Sequence, residues 1–287
     1  MSKMVWIDGR LTPRDQARIS VFDHGLLYGD GVFEGLRQYN GRVFRQEAHL
    51  HRLFASAHAI RLEIPLNRQE LSRAIDQTIA ANALTECYVR LIVTRGVGAL
   101  GVSPAKCDKP SVIIIADGIE LYPPETYRSG LEIITASTIR TPPAALSPKI
   151  KSLNYLNNIL GKWEAIDAGV PEAVMLNHLG YVCECTAVNI FIVCGPELAT
   201  PPEESGILLG VTRGVVLELA GACGLPARER NLTRYDLYNA DECFLTGTGA
   251  EVAPVIGIDR RLIGNGAVGP VTKKLMAMFH EYVRRAS

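Results

Sequence analysis

The sequence predicts an α+β fold of two mixed α/β domains joined by a linker. Three observations carry that expectation. Strand-sized apolar runs alternate with amphipathic helical stretches along the 287 residues, prolines gather between Glu120 and Pro148, and neither half repeats the other. In the first part, alternating and apolar runs place strands at 4–7, 32–39, 87–94 and 111–116, while stripes of period 3.6 place helices near 47–62 and 68–82. Pro123, Pro124, Pro142, Pro143 and Pro148 then interrupt the chain, with a strand at 131–137 among them. The expected division is a small N-terminal α/β domain over 1–120, a linker over 121–132, and a larger C-terminal α/β domain over 133–287 that carries Lys151. Leu153, Leu156, Leu160 and Trp163 recur at three- and four-residue steps and predict a helix, stopped by Gly169 and Pro171. A hairpin-like region at 173–194, a helix over 212–223, a strand over 242–246 and a terminal helix from Val271 complete the second domain.

Thirty basic residues balance thirty acidic ones without blocks of like charge, which recommends no nucleic-acid partner. The longest apolar runs, such as those at 112–116 and 190–194, are strand-sized and far shorter than a membrane span. A cytoplasmic protein with no membrane partner is expected. Seven cysteines, odd in number and set in apolar patterns, read as reduced core residues. Cys183 and Cys185 lack a second ligand pair at metal spacing, so no metal site is expected.

Several residues invite chemistry. Lys151 lies one or two residues ahead of the predicted helical stripe, where the helix dipole and partial burial disfavour an ammonium. A neutral amine there suits condensation with a cofactor aldehyde, although on position alone a solvated lysine is the commoner reading. Strand alternation puts Val182 and Glu184 on one face and the two cysteines on the other. A carboxylate in such apolar company needs a cation or a strong donor, which a protonated pyridine would supply; an exposed edge glutamate is the alternative. Gly210-Val211-Thr212-Arg213-Gly214 opens an amphipathic helix whose first amides, with the Thr212 hydroxyl, form a potential phosphate site. Gly247-Thr248-Gly249-Ala250-Glu251 follows an apolar strand and could form a second cradle; Pro254 arrives too early for a dinucleotide-binding crossover helix. Arg52 sits off the core stripe of its helix and could complete a phosphate cage. Tyr88, Arg90 and Ile92 share one strand face that could accept an acidic or an aliphatic group.

In order along the chain, the segments Tyr28-Gly29-Asp30-Gly31-Val32-Phe33-Glu34-Gly35, His49-Leu50-His51-Arg52, Tyr88-Val89-Arg90, Lys151-Ser152-Leu153-Asn154-Tyr155, Glu184 before Asn189-Ile190-Phe191, Gly210-Val211-Thr212-Arg213 and Thr246-Gly247-Thr248-Gly249-Ala250-Glu251 resemble the fold-type IV family of pyridoxal-phosphate enzymes. This is the D-amino-acid aminotransferase-like fold, and the resemblance is closer to its branched-chain amino-acid aminotransferases. It implies pyridoxal 5'-phosphate as cofactor and transamination between leucine, isoleucine or valine and 2-oxoglutarate. Lys151 would bind the cofactor aldehyde and shuttle the proton, Glu184 would hold the pyridine nitrogen, and Tyr155 would contact the phenolic oxygen. Arg52, Val211, Thr212 and Thr248 would bind phosphate. Phe33, Tyr88, Tyr28 and Val102 would wall the substrate, Arg90 would pair with the glutamate side chain, and Thr248 and Gly249 would also face the substrate. Tyr28 and the Val102 loop would come from a neighbouring subunit, implying at least a homodimer. Rivals within the fold are a D-amino-acid aminotransferase and an aminodeoxychorismate lyase; a catalytically silent cofactor-binding or regulatory protein is the rival of a different functional class. The loop over 96–105 has no Arg or His to serve as the carboxylate trap of the D-specific relatives. With only Trp6 and Trp163 present, Tyr122 or Tyr127 is expected to replace a wall tryptophan, and Lys149 is the competing lysine.

Overall fold

The computed structural model describes residues 3–285 and divides into two compact units. The first runs to Ile119 and takes in Ile150–Asn154; the second comprises Glu120–Lys149 and Tyr155–Arg285. Lys151 thus belongs to the first unit, whereas the sequence division put it in the C-terminal domain.

The first unit contains β1 (Met4–Ile7), β2 (Arg10–Pro13), α1 (His24–Tyr28), β3 (Gly31–Tyr39), β4 (Arg42–Val43), α2 (Gln46–Ala59), α3 (Arg68–Ala81), β5 (Cys87–Thr94) and β6 (Ser111–Asp117). Its sheet is antiparallel throughout, in the order β2-β1-β6-β5-β3-β4. Alternation along each strand sorts the faces. Val32, Leu36, Val89, Leu91 and Ile114 join Leu50 and Leu53 of α2 and Leu71 and Ile75 of α3 in one buried cluster. The opposite face keeps Phe33, Tyr88, Arg90 and Ile92. Asn67 and Glu70 form a reciprocal capping box that starts α3.

The second unit contains α4 (Thr126–Ser129), β7 (Leu131–Thr135), α5 (Leu156–Asp167), β8 (Ala173–Leu176), β9 (Val182–Cys185), β10 (Asn189–Cys194), β11 (Glu197–Thr200), α6 (Val211–Ala222), β12 (Ala227–Glu229), α7 (Arg234–Tyr238), β13 (Glu242–Gly247), β14 (Glu251–Ile258), β15 (Arg261–Leu262) and α8 (Pro270–Arg285). A nine-stranded mixed sheet runs β12-β11-β10-β13-β14-β7-β8-β9, with β15 pairing β14. Both α4 and the start of β7 fall inside the stretch 121–132 that sequence assigned to a linker. Among the described residues no helix is long and apolar enough to cross a membrane.

The expected helix beside Lys151 needs correction. It begins only at Leu156. The residues around Lys151 instead extend along the open edge of β3: Phe33 N donates to Lys151 O (2.9 Å), Leu153 N donates to Gly31 O (3.0 Å), and Val32 and Ser152 are antiparallel bridge partners. Strand pairing satisfies these backbone groups directly, so the dipole argument for Lys151 lapses. The stripe also points the other way. Leu156, Ile159, Leu160, Trp163 and Ile166 are exposed, and α5 buries Asn158, Gly161 and Ala165 instead. Small residues let the helix lie close to its neighbours: a Cβ at Gly161 would stand 3.4 Å from Met175 Sδ.

Candidate functional site

In the first unit, strand register assembles one group of side chains. Because Ser152 pairs Val32, Lys151 falls on the same face as Phe33. Its Nζ lies 4.7 Å from the Phe33 ring centroid. Across the sheet Phe33 pairs Ile92 and Gly35 pairs Arg90, which brings the Arg90 guanidinium 4.4 Å from the Phe33 centroid and 5.6 Å from that of Tyr88. Gly35 makes room for this arrangement, since a Cβ there would lie 1.9 Å from the Tyr88 hydroxyl. Phe33, Tyr88, Arg90 and Lys151 therefore share an aromatic face carrying two basic groups. Tyr28 ends α1, and its hydroxyl accepts from Gly101 N (2.8 Å), one residue before Val102. Lys149 lies outside this group in the second unit, half-exposed and paired with Glu203.

On α2, Arg52 meets a buried carboxylate, Glu34 of β3, to which the sequence reading gave no role. Arg52 Nε and Nη2 donate to Glu34 Oε1 (2.6 Å) and Oε2 (2.8 Å), and His49 Nδ1 lies 2.8 Å from Oε2. Burial alone would raise the Glu34 pKa, but the charge of Arg52 and the bonds from Arg52 and His49 override it, bringing the carboxyl from 4.5 down to about 2. Burial lowers the pKa of His49, only partly countered by Glu34. An anionic Glu34 can only accept, so Nδ1 of the neutral imidazole carries the hydrogen. The forked contact fixes the guanidinium plane of Arg52.

In the second unit, Glu184 on β9 is 5% exposed, which rules out the exposed edge glutamate. Its cation is Arg140, 7% exposed, whose Nη2 and Nε donate to Glu184 Oε1 at 2.7 and 3.2 Å. Asn189 Nδ2 (3.1 Å) and Leu208 N (3.0 Å) donate to Oε2. Arg140 Nη1 continues to Asn158 Oδ1 (3.0 Å), whose Nδ2 donates to Thr186 O (2.6 Å). Arg140, Asn158 and Asn189, all buried, thus fix one carboxylate.

Asn189 also ties Glu184 to both expected phosphate segments. Gly210, the residue preceding α6, abuts it so closely that a Cβ would stand 2.1 Å from Asn189 Oδ1. Helix α6 begins at Val211 without a side-chain cap, leaving Val211 and Thr212 in its first turn as expected. Across β10 and β13, Asn189 pairs Thr246, two residues before Thr248. The Thr246 Oγ1 is buried with no hydrogen-bond partner among the described residues. Thr248 and Gly249 lie in the turn joining β13 to β14, and Pro254 is within β14. Tyr155 immediately precedes α5. An uncapped helix start, an orphaned buried hydroxyl and a fully bonded carboxylate meeting around one asparagine fit an anionic cofactor with a protonated ring nitrogen.

Amino-transferase class IV is the family whose model matches, over residues 31–258. The chain belongs to the class IV aminotransferases. A Methanocaldococcus jannaschii protein provisionally named a branched-chain-amino-acid aminotransferase is 47% identical over 277 residues, covering 96% of this chain and 95% of that one. A solved T.th. branched-chain amino acid aminotransferase with pyridoxamine 5'-phosphate superposes with a TM-score of 0.95 at 37% identity, covering 100% of this chain and 96% of that one. The same T.th. enzyme complexed with N-(5'-phosphopyridoxyl)-L-glutamate gives a TM-score of 0.93 at 36% identity, with coverage of 100% and 96%. The fold-type IV, α+β expectation is met.

In this class IV aminotransferase, the sequence reading quoted Glu34, His49 and Asn189 within its resemblance segments without giving them a role, and it missed Arg140 and Asn158 altogether. Glu34 offered a further signal, as a lone acid among apolar residues of a strand. Tyr122 does not take the role of a wall aromatic: it is buried in the core of the second unit, its hydroxyl 3.5 Å from Glu172. Tyr127 instead donates to Ala250 O (3.1 Å), bracing the Thr248 turn.

Proposed function

We propose that this aminotransferase transfers the amino group of leucine, isoleucine or valine to 2-oxoglutarate, yielding the branched 2-oxo acid and L-glutamate with pyridoxal 5'-phosphate as cofactor. The observation that carries the reading is the shared face of Lys151, Phe33, Tyr88 and Arg90, which sets an amine and a guanidinium against aromatic surface. The T.th. structures, with pyridoxamine phosphate and a phosphopyridoxyl-glutamate, support the cofactor and the glutamate half of the cycle.

When bound, the cofactor supplies an electron-withdrawing ring that stabilises the charge left on the substrate Cα as its proton departs. Lys151 would hold the cofactor through its aldehyde, and its Nζ, once free of that bond, would move the proton between the substrate Cα and the cofactor C4′. Glu184 would accept from the ring N–H, and its bonds to Arg140, Asn189 and Leu208 N hold the carboxylate in place for that task. Arg52, Val211, Thr212 and Thr248 would bind phosphate, and Tyr155 would contact the phenolic oxygen. Phe33, Tyr88, Tyr28 and Val102 wall the aliphatic chain, with Thr248 and Gly249 on the substrate, and Tyr28 and Val102 serve the neighbouring subunit of a homodimer. Arg90 pairs with the second carboxylate of glutamate or 2-oxoglutarate; the apolar rings beneath it accept a branched chain when no such carboxylate is present.

The visible spectrum of cofactor-loaded protein tests the whole reading. Adding L-leucine without a 2-oxo acid should remove the band of lysine-bound cofactor and produce that of the aminated cofactor. A band that ignores L-leucine but responds to D-alanine would replace this substrate class with the D-specific one. For the acceptor, Arg90→Ala should lower kcat/KM for glutamate and 2-oxoglutarate by about 10²-fold and for leucine by less than about threefold. Equal losses in steady-state assays would remove Arg90 from its role.

A further inference from the structure

Helix α1 is a single turn, yet it is tied down on every side. Asp23 caps it by accepting from Gly25 N (2.7 Å) and also accepts from Thr94 Oγ1 (2.8 Å), fastening the turn to the end of β5. His24 follows, only 1% exposed, and its backbone N donates to Gly96 O (2.9 Å). The loop beyond Gly96 wraps the imidazole. His24 Nε2 lies 3.0 Å from Ala99 O, and a carbonyl can only accept, so Nε2 carries the hydrogen. At Gly98 a Cβ would stand 2.9 Å from that same Nε2 and 2.7 Å from Cys107 Sγ, so the backbone passes at close range. One turn along α1, the Tyr28 ring meets His24 edge-on at 4.9 Å and 78°, and its hydroxyl accepts from Gly101 N. The imidazole therefore touches both the loop and the tyrosine that grips the loop. Beyond these contacts the loop presents Leu100 and Val102, the latter 82% exposed.

We propose that His24 is a positioning residue for the substrate's aliphatic wall, locking the loop over 98–102 to Tyr28 so that Val102 is presented in one place. This rests on the reading of Tyr28 and Val102 given under Proposed function. His24 itself touches neither substrate nor cofactor. Its contribution is to hold in advance a short loop that binding would otherwise have to order. The sequence of the loop calls for such a hold: Gly96, Gly98 and Gly101 lie within six residues, and a segment so rich in glycine keeps little conformation of its own.

Two variants separate the contacts. His24→Phe keeps an aromatic edge against Tyr28 but removes the donor to Ala99 O; His24→Gln restores a donor near the position of Nε2. His24→Phe should raise KM for L-leucine about five- to tenfold at saturating 2-oxoglutarate, with kcat changed less than about twofold. In the cofactor-free protein, deuterium should enter the amides of residues 99–102 about tenfold faster, whereas exchange in β3 and β5 should not change. Pyridoxal phosphate should bind as before, and His24→Gln should recover most of the loss. Unchanged KM and exchange in His24→Phe would overturn the proposal, as would loss of cofactor affinity and kcat together in both variants. Should His24→Phe not fold, exchange at residues 99–102 in His24→Gln no faster than about twice wild type, with KM within about twofold, supports the donor role; a rise in both to the level expected for His24→Phe overturns it. Val102→Ala is the control. If it leaves KM for leucine unchanged, the wall reading and this proposal both fail; if it raises KM while His24→Phe does not, this proposal alone fails.

Discussion

Lys151→Ala should fold and bind pyridoxal phosphate noncovalently, yet its turnover should fall by at least about ten-thousand-fold. The backbone bonds on either side survive the truncation: Lys151 N donates to Ser56 Oγ (3.1 Å), and Lys151 O accepts from Phe33 N. On the proposed role one Nζ would both exchange with the substrate amine and carry the proton, and general acid–base transfer alone accounts for about 10²–10⁴-fold. Single-turnover measurement of amination by L-leucine reads the loss directly. A variant that kept more than about a hundredth of wild-type turnover would unseat Lys151. Lys149 could not then be substituted without explanation, since it is engaged with Glu203 in the second unit.

Glu184→Ala should cost both stability and activity, and a second substitution should separate the two. Removing the carboxylate leaves Arg140 buried without its counter-charge, which typically costs about 3–5 kcal/mol. On the role proposed for Glu184 it would also remove the partner of the ring nitrogen, which should lower kcat by more than about a hundredfold. Arg140→Met, added to Glu184→Ala, replaces a stranded charge by apolar volume and should recover most of the stability while recovering none of the turnover. Denaturant titration of the cofactor-free proteins, alongside kinetics of the loaded ones, reads both effects. If the double variant were no more stable than Glu184→Ala, the Arg140 pair would not be the source of the loss.

What could be read in advance followed the range of the forces involved. β1, β3, β5, β6 and α2, α3, α6 and α8 were legible because alternation and 3.6-residue stripes are local records of a face turned to the core. The Val211–Thr212 helix start was legible for the same reason. The extended path of Lys151 was not, since it is decided by the edge of β3, far away in sequence, and its neighbours Leu153 and Leu156 imitate a helical stripe. That stripe misled because it is exposed on α5, and nothing in an apolar pattern says what will cover it. Arg140 escaped notice among the prolines of 120–148, where no periodicity reports its burial beside Glu184. Its role rests on a contact between distant segments, and spacing holds no trace of that.

The pairing of Lys151 with β3 bears on movement. On its proposed role Lys151 must release one partner and reach for another, a task best served by a still base and a flexible arm. Main-chain bonds on both sides of Lys151, to Ser56 and to Phe33, hold its Cα as a fixed hinge pin, and four methylene groups supply the swing. The reach of the amine is then set by side-chain rotation alone, on the fast timescale of rotamer exchange, and the sheet need not open for the amine to change position.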